Sequence, residues 1–86
     1  MELWELAQRS GRVTLKEFCE ALYPFQASHR VLPSQDVSQI VEKLDPTDTY
    51  LKRSIQEICD RNILESMHRS DVYEAEKWAR LWRQLR

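Results

Sequence analysis

The chain has 86 residues, with 13 Lys and Arg against 14 Asp and Glu for a formal charge of -1 with His neutral, and 42% of its positions are apolar. A chain this short hides only about 60 to 65% of the surface its unfolded form exposes, so residues 1–86 read as one domain with a small core and no room for a large enzymatic cleft. Eight aromatic residues exclude a disordered tail, and a single Gly with three Pro leaves too few turn formers for a many-stranded sandwich or barrel. The expected fold is mainly α, a small domain of about five helices.

Residues 2–9 carry Leu3, Trp4, Leu6 and Ala7 and stop at Ser10 and Gly11, where glycine closes a helix by taking the left-handed conformation. Arg12 and Val13 add a brief extended segment. Thr14 and Glu17 then have capping-box spacing and open a second helix, with Leu15, Phe18, Cys19 and Leu22 on one buried face and Pro24 as its end. Residues 24–33 show no sustained period and read as an ordered loop anchored by Phe25, Val31 and Leu32.

Ser34 offers a cap for a third helix, in which Val37, Ile40, Val41 and Leu44 repeat at helical spacing. The run from Asp45 to Thr49 is a turn that launches a fourth helix, with Tyr50, Leu51, Ile55, Ile58 and Cys59 inside and an end near Asn62. Ile63 and Leu64 read as a short extended pair, able to form one tiny strand pair with Val13, and residues 65–69 as a surface turn. Ser70 and Asp71 cap a fifth, amphipathic helix running to Arg86, with Ala75, Trp78, Ala79, Trp82 and Leu85 on one face.

Site chemistry for catalysis is sparse. Cys19, His29, Cys59 and His68 are separated by sequence gaps that match none of the paired short spacings of a zinc site, and both cysteines fall in apolar stripes, where they read as reduced and buried. The lone Gly excludes a glycine-rich phosphate loop. No metal, no cofactor and no enzymatic activity are expected. The opening Met1-Glu2-Leu3-Trp4-Glu5 is acidic where a secretory signal is basic, and no apolar run approaches the roughly 20 residues that cross a bilayer. A cytoplasmic protein without membrane association is the corresponding expectation.

Residues 37–44, the turn at 45–49 and residues 50–64 together resemble the second helix, turn, recognition helix and first wing strand of a winged helix-turn-helix domain. Residues 6–22 also look like the start of such a domain. On the first alignment residues 2–9 are an added helix; on the second, residues 23–44 are an insertion between the motif helices. The resemblance implies a helix-turn-helix at residues 34–62, at most a minimal two-stranded wing, and double-stranded DNA as partner.

In such a motif one face of the second helix meets a major groove. Thr49, Tyr50, Lys52, Arg53 and Gln56 occupy that helix here; Arg53 and Gln56 suit base edges, and Lys52 with Arg80 and Arg83 suits phosphates. Residues 1–50 hold 5 basic and 8 acidic side chains and residues 51–86 hold 8 and 6, so any nucleic-acid footprint is C-terminal. The last ten residues contain Lys77, Arg80, Arg83 and Arg86 and no acid.

Trp78 and Trp82 lie one helical turn apart, and with Leu85 they define a candidate interface for a homodimer or a protein partner, or else a face that closes the monomer core. Two functions follow. The leading one is a small DNA-binding or transcription-associated regulator with residues 47–62 as recognition helix; the alternative is a non-catalytic adaptor or inhibitor that binds protein through the Trp-rich C-terminal helix or the acidic N-terminal half.

Overall fold

The computed structural model describes residues 2–28 and 30–86, and every described element is helical: α1 (Leu3–Gln8), α2 (Leu15–Ala27), α3 (Ser34–Glu42), α4 (Thr49–His68) and α5 (Val72–Gln84). His29, one of the four zinc-ligand candidates weighed above, lies outside the described residues. The chain groups into two compact units, Met1–Thr47 and Asp48–Arg86. Thus α3 belongs to the first unit and α4 to the second.

In the first unit α1 packs on both α2 and α3. Leu3, Leu6 and Ala7 of α1, Val13, Phe18, Ala21 and Leu22 around α2, and Leu32, Val37 and Ile40 at α3 are all buried. The α1–α2 connection turns at Gly11, whose φ of 114° lies in the left-handed region that a side chain disfavours. Thr14 and Glu17 form the expected capping box: Glu17 N–H donates to the Thr14 hydroxyl at 3.2 Å and Thr14 N–H to the Glu17 carboxylate at 3.1 Å.

The same carboxylate receives the Arg9 guanidinium in a fork of 2.5 and 3.0 Å. Arg9, Thr14 and Thr14's backbone together hold the Glu17 carboxyl down at about 2. A second clamp closes the end of the unit, where Arg12 pairs with Asp45 at 2.8 Å and Asp45 also accepts from the backbone and hydroxyl of Thr47.

Proline does not end α2. Pro24 sits inside the helix, and one further turn continues to Ala27, held by the Ser28 N–H and hydroxyl, which both donate to the Pro24 carbonyl. Proline removes one backbone donor and crowds the preceding turn, but it leaves its own carbonyl free to anchor the turn that follows. Phe25 is therefore helical and half-buried; of the other two expected loop anchors, Leu32 is buried and Val31 is exposed. Cys19 is exposed, because the packed face of α2 runs through Phe18, Ala21 and Leu22 and turns away from it. The third helix starts at Ser34 itself, with Pro33 as its cap residue and no capping side chain.

In the second unit α4 and α5 form an antiparallel hairpin. Asp48 caps α4 by accepting from Leu51 N–H at 3.1 Å, and Asp71 caps α5 by accepting from Glu74 N–H at 3.1 Å. The α4 helix continues past Asn62 to His68, so Ile63 and Leu64 are helical and the expected strand pair with Val13 is absent; no strand occurs among the described residues. Residues 65–68 likewise belong to the helix and not to a surface turn.

The reversal is made by Ser70 in the left-handed conformation (φ 59°), with Ser70 N–H on Met67 O and Asp71 N–H on Ser66 O. Leu51, Ile55, Cys59 and Ser66 of α4 and Ala75, Trp78, Leu81 and the adjoining Leu85 of α5 are buried. Burial pushes the Cys59 thiol up to about 12, with a smaller push from the Asp60 charge.

Candidate nucleic-acid interface

Helix α4 has 20 residues and α5 has 13. At 1.5 Å per residue the seven extra residues make α4 about 10 Å longer, and the hairpin turn places that excess at the N-terminus of α4. A single hydrogen bond fixes the register: Gln56 Nε2 donates to the Leu85 carbonyl at 3.1 Å. The C-terminus of α5 thus ends beside the second turn of α4, and the α4 residues N-terminal to that point include Thr49, Tyr50, Lys52 and Arg53, with Leu51 buried among them.

Cationic side chains occur on both of these helix ends. Lys52 is half-buried, whereas Thr49, Tyr50 and Arg53 are exposed, Tyr50 to 74%. From the other helix come Arg83, which is exposed and keeps its Nε on the Ala79 carbonyl at 3.4 Å, and Arg86, whose guanidinium lies 5.1 Å from the centre of the half-buried Trp82 ring. Among the described residues no carboxylate pairs with Lys52, Arg53, Arg83 or Arg86; the ion pairs of α5 are those of Arg80 with Glu76 at 3.1 Å and of Lys77 with Glu74 at 3.9 Å.

The residues singled out in the sequence therefore separate into three groups. Thr49, Tyr50, Lys52 and Arg53 lie in the first two turns of α4 and Arg83 in the last turn of α5, the two helix ends that the Gln56–Leu85 hydrogen bond joins. Arg80 lies farther along α5 and is engaged by Glu76. Gln56 holds the end of α5 with its amide nitrogen, a role that its sequence position beside Lys52 and Arg53 does not disclose. Arg86 belongs with the first group, and the i, i+4 spacing from Trp82 to Arg86 is the sequence signal that points to it.

The candidate interface residues of α5 also divide. Trp78 and Leu85 are 1% and 2% exposed, so their rings and methyls are already covered within the chain, and only Trp82 retains surface to offer a partner. At the closed end of the hairpin Leu64, Met67, Val72 and Tyr73 are exposed, with Lys77 Nζ over the Tyr73 ring at 4.5 Å. Among the described residues no three His, Cys, Asp or Glu side chains gather as a metal site, and no helix is long and apolar enough to cross a membrane. No protein-family model matches the chain, and comparison with curated proteins and with solved structures finds no match.

Proposed function

We propose that the protein binds double-stranded DNA through the open end of the α4–α5 hairpin. The observation that carries this reading is the Gln56–Leu85 hydrogen bond, which brings the end of α5, with Arg83 and Arg86, to the turns of α4 that carry Lys52 and Arg53, none of the four having a carboxylate partner among the described residues. Cations not neutralised by a carboxylate can replace the counterions condensed on duplex phosphates, and the release of those ions drives association. The chain's near-zero net charge is compatible with this, because Glu74 and Glu76 pair along α5, Asp71 caps α5, and Asp48 is engaged as the cap of α4.

Fluorescence anisotropy of a labelled duplex of about 20 base pairs, titrated with the full chain at low salt, tests the proposal. Binding is expected, and an Arg53→Ala, Arg83→Ala double variant that keeps its helical circular dichroism is expected to lose most of it. Absence of duplex binding by the wild type at low salt refutes the reading. A second reading, a protein-binding adaptor, is favoured by the exposed Leu64, Met67, Val72 and Tyr73 at the closed end of the hairpin. It predicts capture of a protein partner that is weakened by Leu64→Ser with Met67→Ser and unaffected by loss of Arg53 and Arg83.

A further inference from the structure

Given the DNA-binding reading on which it rests, we infer that the hairpin grips the phosphate backbone end-on and without regard to base sequence, and does not lay α4 along a groove as a recognition helix. Two observations separate these modes. First, the side chain best suited to paired hydrogen bonds with adenine is Gln56, and its amide nitrogen is donated to the Leu85 carbonyl at 3.1 Å. Reading a base with it would undo the contact that joins the two helix ends. Second, Arg53 shares the exposed side of α4 with Glu57 and Asp60, one and two turns farther along. Laying that side into a groove would bring two carboxylates against two phosphate strands.

At the end of the hairpin the one α4 carboxylate is that of Asp48, which is half-buried and already accepts from Leu51 N–H as the helix cap. Lys52 and Arg53 near the start of α4 and Arg83 and Arg86 at the end of α5, which the Gln56–Leu85 hydrogen bond brings alongside, would be the cations that meet neighbouring phosphates. Four cations set the upper limit of phosphates neutralised, so the slope of log K against log salt should be about -3.6, equivalent to a loss of about 150-fold between 50 and 200 mM salt.

Three measurements with the full chain test the inference. Repeated selection from a pool of random-sequence duplexes should enrich no motif, and individual duplexes should bind within threefold of one another; a motif bound more than tenfold tighter overturns the end-on grip. A Glu57→Gln, Asp60→Asn double variant should change affinity by less than threefold at 150 mM salt; a tenfold or greater gain would place that side of α4 against DNA and overturn it as well. Arg53→Ala, at an exposed position, should reduce the slope by about 0.9, and Arg83→Ala with Arg86→Ala by about 1.8; an unchanged slope in variants that remain folded overturns it. Failure of every duplex to bind at low salt would instead remove the parent proposal, so the two failures are distinguishable.

Discussion

Replacing Lys43 by Met is expected to destabilise the first unit by about 2 kcal/mol. Lys43 closes the end of α3, and its ammonium donates to three carbonyls at the end of α1: Leu6 at 3.1 Å, Ala7 and Arg9. These are among the acceptors that a helix leaves unmatched at its C-terminus. A hydrogen bond from a charged donor is worth about 1.5 to 3 kcal/mol net, but one ammonium shared by three acceptors does not deliver three times that. The group is only half-buried, so water recovers part of the loss, and the favourable placement of a cation at a helix C-terminus, about 0.3 to 1 kcal/mol, is already within the total. Met retains the packing of the stem and removes only the donor. Urea unfolding followed by circular dichroism measures the loss, and hydrogen exchange should localise it to amides of α1. A change below about 0.5 kcal/mol, with α1 protection intact, would show that the three carbonyls are as well served by solvent, and would refute the capping argument.

Acid should weaken the same unit through Glu17. Its carboxyl is held at about 2 when folded against an ordinary 4.5, so the stabilisation is fully present above 4.5 and is lost as pH falls from there through 2; Glu17→Gln should flatten the dependence of the urea midpoint over that window, and parallel curves would refute the assignment. Core truncations should rank by burial. Phe18→Ala and Leu51→Ala remove side chains that are almost fully covered and should cost about 3 to 5 and 2 to 5 kcal/mol, whereas the half-buried Ile58 should cost less than either, and an equal or larger loss there would contradict its placement. Thiol labelling of the native protein at pH 8 should modify Cys19 and spare Cys59 until denaturant is added, because Cys19 is exposed and the Cys59 thiol is covered and shifted up to about 12; peptide mapping that finds Cys59 labelled in native protein would refute this.

The legible parts of this fold are those in which local chemistry decides the outcome. The Thr14–Glu17 box, the Asp71 cap and the left-handed Gly11 are written in residue types that satisfy or terminate a helix by themselves, and each occurs where the sequence places it. The illegible parts depend on tertiary context. The apolar period of α4 breaks after Cys59 because the fully buried position of its last turn is Ser66, a polar residue, while Leu64 points outward. A helix whose inner face changes from isoleucine to asparagine and serine looks finished at Asn62, and an exposed leucine beside an isoleucine looks like a strand. What carries the helix onward is the reversal itself, in which Ser66 supplies its carbonyl to Asp71 N–H and its hydroxyl accepts from Arg69 at 3.5 Å.

The candidate site divides along the same line. Lys52, Arg53 and Arg83 are visible as cations in sequence, but the return of the end of α5 to the early turns of α4 follows from helix lengths of 20 and 13 residues and from a glutamine that ties the shorter helix to the longer. Shortening α4 to end at Asn62, as its apolar pattern suggests, would move the start of α5 and misplace Arg83 and Arg86 relative to Lys52. The error in one helix boundary is therefore also the reason that Gln56 reads as a base-contacting side chain in sequence and is found as the register pin of the hairpin. Chemistry at this end of the molecule is set by how far α5 returns along α4, and that distance is determined about four to five turns away, at Ser66 and Ser70.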